Sequence, residues 1–221
     1  MDKLEKIIEK LRTKVEKYFG EDNTGHSIDH LERTLRMALY LQEKEGGDRV
    51  IIGVSAFIHD VHRILQTQLK KYVSPHDSLP VVEEFLKDLP LTKTQIKKIL
   101  HVVENHEEYN FSSKGNVDDV ESLIVQDADN LDAIGAIGLV RVIKYGVVNN
   151  CVEYDPTAPL AQNDFVEGVQ DPSTIHHIYN KLVRLGEYMN TKTALKIAKK
   201  RAKIISQFVE MYVDEYNGVF E

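Results

Sequence analysis

The sequence is short of thiol groups and of long apolar stretches. Cys151 is the only cysteine among 221 residues, which excludes a disulfide within the chain and any zinc site built on cysteines. The longest apolar stretch, residues 50–58, falls well short of the roughly 20 residues that a membrane-spanning helix needs. The sequence therefore predicts a protein of a reducing compartment that does not cross a membrane.

Positive charge is also scarce. Lysine and arginine number 28 against 35 aspartates and glutamates, for a net charge of -7, and the basic residues are spread along the whole chain. A protein that coats nucleic acid needs a concentrated basic surface, so we expect no nucleic-acid partner. An acidic protein can still bind a small phosphorylated molecule through a few local cations and a metal ion.

The N-terminal segment favours a cytoplasmic location. Its apolar residues, among them Leu4, Ile7, Ile8 and Leu11, recur at helical spacing between charged ones. This pattern is typical of an amphipathic helix and differs from the continuous apolar block of a signal peptide. We therefore expect the protein to stay in the cytoplasm.

Helical periodicity runs through nearly the whole sequence, and no convincing alternation of period two interrupts it. The pattern predicts an all-α fold with residues 1–221 in a single domain. Its core is expected at about 20–150, with C-terminal helices at 173–216 packed on it. Segments 61–78 and 149–172 are expected to be less regular. Beyond an N-terminal helix, the predicted helices are 28–45, 49–60, 79–89, 92–106, 118–148, 173–189 and 191–216.

A histidine and an aspartate stand side by side where an apolar helix is predicted to end, in the sequence SAFIHDVHR. An ionised carboxylate buried without a partner costs several kcal/mol, so Asp60 needs a cation nearby. The imidazole of His59 and the carboxylate of Asp60 can both reach one ion beside the helix axis. The doublet alone has an ordinary alternative, a capped helix end with a hydrogen-bonded histidine.

Two more polar residues favour a metal site. His30 is predicted in the first turn of the second helix, in GHSIDHLERT, and Asp129 interrupts the apolar helix of VQDADNLDAIGAIG. One divalent cation would neutralise both Asp60 and Asp129. Two imidazoles and two carboxylates form a mixed nitrogen and oxygen set that suits Mn²⁺, Fe²⁺, Zn²⁺ or Mg²⁺.

With His30 first, then His59-Asp60, then Asp129, the sequence resembles the HD-domain metal-dependent phosphohydrolases. NFSSKG followed by VQDADNLDAIGAIGLVR is similar to a bacterial and archaeal branch thought to hydrolyse nucleotide pyrophosphates, and the resemblance covers roughly residues 20–215. It implies an HD-type helical bundle with the metal held between central helices. It also implies hydrolysis of phosphate esters or anhydrides.

The resemblance implies that His30, His59, Asp60 and Asp129 are the ligands of one divalent ion. The ion would hold water or hydroxide as the nucleophile at neutral pH and would polarise a phosphoryl oxygen. Asp60 is predicted to be catalytic, either as a ligand or as the acceptor of the water's proton, and the sequence leaves both roles open.

Two residues near His30 are predicted to contact the substrate, and each has a structural alternative. His26 either contacts a phosphate or is a plain loop residue before the helix. Arg33, one turn beyond His30, either binds a phosphate with its guanidinium or holds one of the two aspartates in a salt bridge.

Four residues farther along the chain complete the predicted site. His106, near the position where the family keeps a histidine facing the site, is predicted to contact the substrate or a second metal. Lys114 and Lys181 are predicted anion contacts, although a solvated surface role is the ordinary alternative for a single lysine. Asp132 is expected to orient a metal ligand by contacting it without binding the metal itself.

The sequence departs from the branch beside the predicted ligands. Asn130 stands where the branch usually has arginine, His62 and Arg63 stand where small or acidic residues are more usual, and segment 66–86 has no counterpart. These departures leave the ligand set intact and the substrate open. A second metal centre, as some HD enzymes have, could be built from four further histidines, but their positions fit no ligand spacing: His62, His76, His176 and His177. One metal ion is therefore predicted.

The leading interpretation is a phosphohydrolase that depends on a divalent metal and acts on a nucleotide or a similar small phosphorylated molecule. A cyclic-nucleotide phosphodiesterase or a nucleoside 5′-monophosphatase would share the metal and differ in the surrounding pocket. A regulatory module that binds a nucleotide without hydrolysis would be expected to lack a ligand, and all four are present. A homo-oligomer is compatible with the sequence.

Overall fold

A computed structural model of the chain describes residues 2–19, 24–107, 117–160 and 171–220. Throughout these residues the regular structure is helical, without a strand, so the all-α prediction is confirmed. None of the helices in these ranges is both long enough and apolar enough to cross a membrane.

The described residues form two compact units. The first contains residues 2–19, 24–107 and 117–129, and the second contains residues 130–160 and 171–220. The predicted packing of the C-terminal helices in a single domain stays a prediction. The helices of the first unit are α1 (Lys3–Phe19), α2 (Ile28–Glu45), α3 (Arg49–Ile58), α4 (Val61–Leu69), α5 (Pro75–Leu86), α6 (Lys93–Glu104) and all but the last three residues of α7 (Val120–Asp132).

Helix α3 is the central element of the first unit. Every residue from Ile51 to Ile58 is buried, and α3 packs against α1, α2 and α6. A Cβ at Gly53 would fall 2.7 Å from a methyl carbon of Leu4, so the absence of a side chain there lets α1 approach closely. An apolar character on every face is typical of such a buried helix.

The start of α3 is tied to α7. The side chain of Asp48 caps α3 by accepting hydrogen bonds from the backbone N–H groups of Val50 and Ile51, at 2.8 and 3.1 Å. The backbone N–H of Asp48 donates to the carboxylate of Glu121 in α7, at 3.0 Å. These contacts fix the position of α3, which leads into the His59-Asp60 turn, relative to α7, which carries Asp129.

The end of α3 differs from the predicted helix 49–60. Helix α3 ends at Ile58, and His59 and Asp60 form a turn that leads directly into α4. The backbone of Asp60, with φ of -87° and ψ of 15°, lies outside the helical region. The doublet therefore occupies the corner between two helices, where its side chains can both turn inward.

The segment 61–78, predicted to be irregular, contains α4 and the start of α5. Pro75 suggested a loop, yet it is the first residue of α5. Proline is tolerated there because the first turn of a helix needs no N–H donor. Ser74 and Asp77 cap this end reciprocally, each side chain bonding the other's backbone.

The second unit is built on α8 (Gly135–Val148), which packs against α11 (Lys192–Tyr216). Between these helices in the chain lie α9 (Thr174–His177), a π-helical turn (Ile178–Leu182) and α10 (Val183–Leu185). The side chain of Thr191 caps α11, as the predicted start of the last helix suggests.

The sequence AIGAIG separates α7 from α8, where one helix over 118–148 is predicted. Gly135 has a φ of 80°, in the left-handed region that residues with a side chain rarely adopt. Gly138 follows within α8, and a Cβ there would lie 2.1 Å from the carbonyl oxygen of Ala133. The two glycines therefore make the tight turn that breaks the predicted helix.

Gly138→Ala tests this close approach. Replacing a helical glycine by alanine ordinarily stabilises a protein by about 0.4–1 kcal/mol. Here the added methyl group would collide with backbone, so we expect a loss of about 1–3 kcal/mol in the free energy of unfolding. Urea denaturation followed by circular dichroism measures the change. Ala136→Ser, at an exposed position of the same helix, should change stability by less than about 0.5 kcal/mol. A Gly138→Ala variant as stable as wild type would contradict the collision.

Candidate functional site

The four predicted metal ligands meet inside the first unit. His30 lies in the first turn of α2, His59 and Asp60 lie in the turn after α3, and Asp129 lies on α7. Their exposed fractions are 0%, 0%, 2% and 8%. The structure therefore brings together and buries all four residues that the sequence singles out.

The Nε2 atoms of the two imidazoles are at the centre of this cluster. His30 Nε2 lies 3.2 Å from His59 Nε2. Asp60 Oδ2 lies 3.2 Å from His30 Nε2 and 3.6 Å from His59 Nε2. Asp129 Oδ1 lies 3.3 Å from His30 Nε2 and 3.6 Å from His59 Nε2. Two nitrogens and two carboxylate oxygens thus share one small buried region.

The hydrogen bonds made by Nδ1 of each imidazole bear on whether its Nε2, which faces the cluster, carries a proton. His59 Nδ1 lies 2.9 Å from the carbonyl oxygen of Ala56, which can only accept, so Nδ1 carries the proton. In a neutral ring, Nε2 of His59 then carries no proton and presents a lone pair. It faces Nε2 of His30, whose Nδ1 lies 3.4 Å from Thr34 Oγ1. A lone pair buried beside carboxylates is unfavourable unless a proton or a metal ion lies between them.

Burial and charge act in opposite directions on the two aspartates. Burial is the largest influence on the pKa of Asp60 and raises it, but the imidazoles of His59, His26 and His30 together hold that pKa well below its usual range. Burial also raises the pKa of Asp129, and the hydrogen bonds and charges of His30 and His59 outweigh it, so this pKa is well below its usual range too. Both aspartates are therefore ionised at neutral pH.

The donor atoms fit a divalent cation. Asp60 Oδ2 is buried without a hydrogen bond, and His30, His59 and Asp60 offer ligand atoms within 4.8 Å of one another. Two imidazole nitrogens with carboxylate oxygens form a set that suits Mn²⁺, Fe²⁺, Zn²⁺ or Mg²⁺. A cation would offset the charge of the carboxylates and satisfy the facing lone pairs. The ligand role of each residue stays a prediction.

A second cluster of polar residues adjoins Asp60. It consists of His62 and Arg63 in α4 and of His106 and Glu107, which follow α6. Glu107 Oε2 lies 3.2 Å from His62 Nε2, and Glu107 Oε1 accepts a hydrogen bond from Arg63. His106 Nε2 lies 3.9 Å from Asp60 Oδ1. The carboxylate of Asp60 therefore lies between the two clusters.

His106 repeats the hydrogen bonding of His59. Its Nδ1 donates to the carbonyl oxygen of Val103 at 2.7 Å, and its buried Nε2 has no hydrogen-bond partner. Burial, and then the charge of His59, lowers the pKa of His106 to about 4, so the ring is neutral at pH 7. Its predicted contact with a substrate or a second metal stays a prediction.

Glu107 is the member of the second cluster that sequence analysis missed. Burial raises the pKa of Glu107, but the guanidinium of Arg63 and the imidazole of His62 hold it well below its usual range. Its signal in the sequence is a His-Glu doublet just beyond the end of the amphipathic helix α6, as the His59-Asp60 doublet follows the end of α3. The spacing of His62 fits no ligand pattern in the sequence, because only the fold brings it to Glu107.

The two predicted substrate contacts near His30 lie in the first unit. His26 is half-buried, with its Nδ1 2.9 Å from Thr24 Oγ1 and its ring centroid 6.0 Å from that of His30. Arg33 is half-buried on α2, one turn beyond His30. Their contact with a substrate stays a prediction.

The remaining predicted residues lie elsewhere. Lys114 is outside the described residues. Lys181 belongs to the π-helical turn of the second unit and is half-buried. Asp132, also in the second unit, accepts a hydrogen bond from Arg141 at 3.1 Å. The roles predicted for these three residues are not tested by this geometry.

Three relatives resemble this chain along nearly its whole length. An HD-superfamily hydrolase from Bacillus thuringiensis is 33% identical, with a TM-score of 0.70, and the match covers 98% of this chain and 99% of the other. A Lactobacillus plantarum protein is 28% identical, with a TM-score of 0.78 and coverage of 97% and 98%. The uncharacterised protein YpgQ of Bacillus subtilis is 28% identical over 218 residues, which is 97% of this chain and 96% of YpgQ.

The sequence profile of the HD domain matches residues 27–134, which include both clusters. YpgQ has also been crystallised in complex with ADP. That structure is 25% identical to this chain, with a TM-score of 0.67, and the match covers 96% of this chain and 99% of the other.

Asp129→Asn tests the ligand set. In wild type, Mn²⁺ should raise the melting temperature, because a ligand at 100 times its Kd adds about 2.7 kcal/mol to the free energy of unfolding. Asparagine keeps the size of the side chain and removes its charge, so the variant should show a clearly smaller increase. Differential scanning calorimetry with and without Mn²⁺ measures both.

Asp118→Asn is the matched control for this measurement. Asp118 is exposed and belongs to neither cluster, so its variant should respond to Mn²⁺ as wild type does. If Asp129→Asn also responded as wild type does, Asp129 would not be a ligand.

Proposed function

We propose, since this chain belongs to the HD superfamily of metal-dependent phosphohydrolases, that it hydrolyses a phosphate ester or anhydride of a nucleotide or a similar small phosphorylated molecule. The observation that carries the proposal is the buried convergence of His30 Nε2 and His59 Nε2 with carboxylate oxygens of Asp60 and Asp129. Two carboxylates and two imidazoles packed this closely in a buried region favour a bound cation.

His30, His59, Asp60 and Asp129 would hold the divalent ion, whether Mn²⁺, Fe²⁺, Mg²⁺ or Zn²⁺. When bound, such an ion lowers the pKa of a water molecule and polarises a phosphoryl oxygen. The remaining chemistry belongs to the chain's own side chains. Their first contribution is orientation, because the carbonyl of Ala56 keeps the proton of His59 on Nδ1 and so keeps Nε2 available.

Asp60 is the residue to which we assign the catalytic role. Its carboxylate is ionised at neutral pH, because the imidazoles beside it hold its pKa well below the usual range despite burial. An ionised carboxylate at the centre of both clusters can bind the cation or accept a proton from the attacking water. Its burial excludes bulk water from competing for either role.

A nucleotide is the preferred substrate for two reasons. YpgQ, which is similar to this chain from end to end, has been crystallised with ADP. His26 and Arg33 lie near His30 and could contact a phosphate group, as the sequence suggests. Lys114 and Lys181 are further proposed anion contacts, and Asp132 is a proposed orienting residue. We also propose a cytoplasmic location, and a homo-oligomer is compatible with the sequence.

A substrate panel tests the proposal. We expect chelated, Mn²⁺-reloaded protein to release pyrophosphate from at least one nucleoside triphosphate. Asp60→Asn should lower kcat/KM by about 10³-fold or more, because loss of metal-assisted catalysis costs several kcal/mol of transition-state stabilisation. Orthophosphate and pyrophosphate assays, with chromatography of the nucleotide products, identify the bond that is cleaved.

The same panel separates the alternatives. Orthophosphate released only from nucleoside 5′-monophosphates would indicate a monophosphatase, and opening of cyclic nucleotides would indicate a phosphodiesterase. Tight nucleotide binding without any turnover would indicate a regulatory module and would refute the enzymatic proposal. Asp118→Asn again serves as the control, because its exposed carboxylate should leave turnover unchanged.

A further inference from the structure

We propose that Arg201, on α11, is a positioning residue for the metal site, because it holds the last turn of α7 and thereby sets the position of Asp129. The inference rests on the proposed function, since it concerns the same set of ligands. The contacts of Arg201 that carry it lie within the second unit, which begins at Asn130 and contains the end of α7. Arg201 belongs to none of the motifs of the predicted site.

The last turn of α7 carries a predicted ligand at a place where helices are least rigid. Asp129 is the fourth residue from the end of α7, which ends at Asp132. Helix ends fray, because the last four carbonyl groups have no partner within the helix. Asp129 nevertheless has to keep its Oδ1 atom 3.3 Å from His30 Nε2 and 3.6 Å from His59 Nε2. A ligand so placed needs support for the end of its helix.

Arg201 supplies that support through the carbonyl group of Leu131. The guanidinium of Arg201 donates a hydrogen bond to this carbonyl oxygen, which is one of the last in α7. The backbone N–H of Ile134 reaches the same oxygen at 3.4 Å, which makes it a weak partner. A cation at the end of a helix also interacts favourably with the helix dipole. Arg201 therefore stabilises the end of α7 both by a hydrogen bond and by its charge.

Two further charged groups complete the support. Asp132, the last residue of α7, accepts a hydrogen bond from Arg141 of α8 at 3.1 Å. Burial lowers the pKa of Arg201, and the charge of Asp132 acts in the opposite direction. The attraction between Asp132 and Arg201 therefore offsets part of the cost of burying the guanidinium. Side chains from α8 and α11 thus both hold the last turn of α7.

Gly135 provides the space for the Arg201 side chain. A Cβ at Gly135 would lie 3.0 Å from Cγ of Arg201 and 3.2 Å from its Cβ and Cδ. The arginine stem therefore packs directly on the turn between α7 and α8. The guanidinium is thus fixed by packing as well as by hydrogen bonding.

Arg201→Met tests the positioning role, because it removes the guanidinium and keeps an unbranched stem beside Gly135. Equilibrium dialysis of the full chain should show Mn²⁺ binding that is about 10-fold weaker, the lower end of the loss seen when outer partners of metal ligands are removed. Circular dichroism shows that the variant is folded. If it does not fold, Arg201→Gln, which loses the charge and keeps a polar group, carries the same test.

Two further variants bracket this result. Arg201→Lys should bind Mn²⁺ within about threefold of wild type, because a lysine side chain can also bond the last carbonyl groups of a helix. Lys200→Met is the matched control. Lys200 is the exposed neighbour of Arg201 on α11, so its variant loses the same charge and should bind Mn²⁺ as wild type does.

Differential scanning calorimetry separates positioning from a general loss of stability. A merely structural arginine would lower the melting temperature by the same amount with and without Mn²⁺. A positioning arginine also affects the response to the metal. The increase that Mn²⁺ produces should therefore be smaller in Arg201→Met than in wild type, because weaker binding adds less stability at the same Mn²⁺ concentration.

A double-mutant cycle tests whether Arg201 acts through Asp129. Asp129→Asn alone should weaken Mn²⁺ binding. Adding Arg201→Met should then weaken it by less than about a further threefold, because no carboxylate is left to position. The same loss from Arg201→Met in both backgrounds would mean that Arg201 acts elsewhere, and it would overturn the inference.

The outcomes separate this inference from the proposed function. Mn²⁺ binding in Arg201→Met equal to that of wild type would overturn the positioning role and leave the proposed function standing. No bound Mn²⁺ in wild type would overturn both proposals.

Discussion

Two imidazole nitrogens 3.2 Å apart, buried beside two ionised carboxylates, are the constraint on which the first unit depends. Each of these groups prefers water to an apolar interior, so burying them together is unfavourable without a compensating charge. Only a positive charge between the groups makes their burial favourable. Metal binding and the stability of the first unit are therefore coupled, because the ion binds the folded arrangement and the unfolded chain lacks it.

Backbone carbonyl groups at the ends of the helices orient the histidine side chains of the site. The last four carbonyl groups of an α-helix have no partner within the helix. The carbonyl of Ala56, near the end of α3, accepts from His59, and the carbonyl of Val103, near the end of α6, accepts from His106. In both cases the histidine follows three residues later and an acidic residue comes next. The same local structure thus presents an imidazole lone pair and a carboxylate twice.

The periodicity of the sequence predicts the all-α fold, and the resemblance to the HD order, together with the cost of burying Asp60 or Asp129 without a cation, predicts the four residues of the first cluster. The sequence predicts the helix ends less well. Residues 49–60 read as one helix because His59 and Asp60 tolerate helical backbone, and only packing decides that the chain turns there. Glu107 was missed because a His-Glu doublet before a polar loop is common, and its contact with His62 comes from tertiary structure alone.

The acidic composition of the chain affects how the site binds an anionic substrate. An overall charge of -7 repels a phosphorylated substrate at long range, and the side chains of the two clusters add to that repulsion at close range. A cation at the site would offset this repulsion, whereas the guanidinium of Arg63 is already engaged by Glu107. A bound cation would therefore favour the binding of an anionic substrate. A site lined with lysine and arginine would have bound the same phosphates without metal and without the means to polarise them.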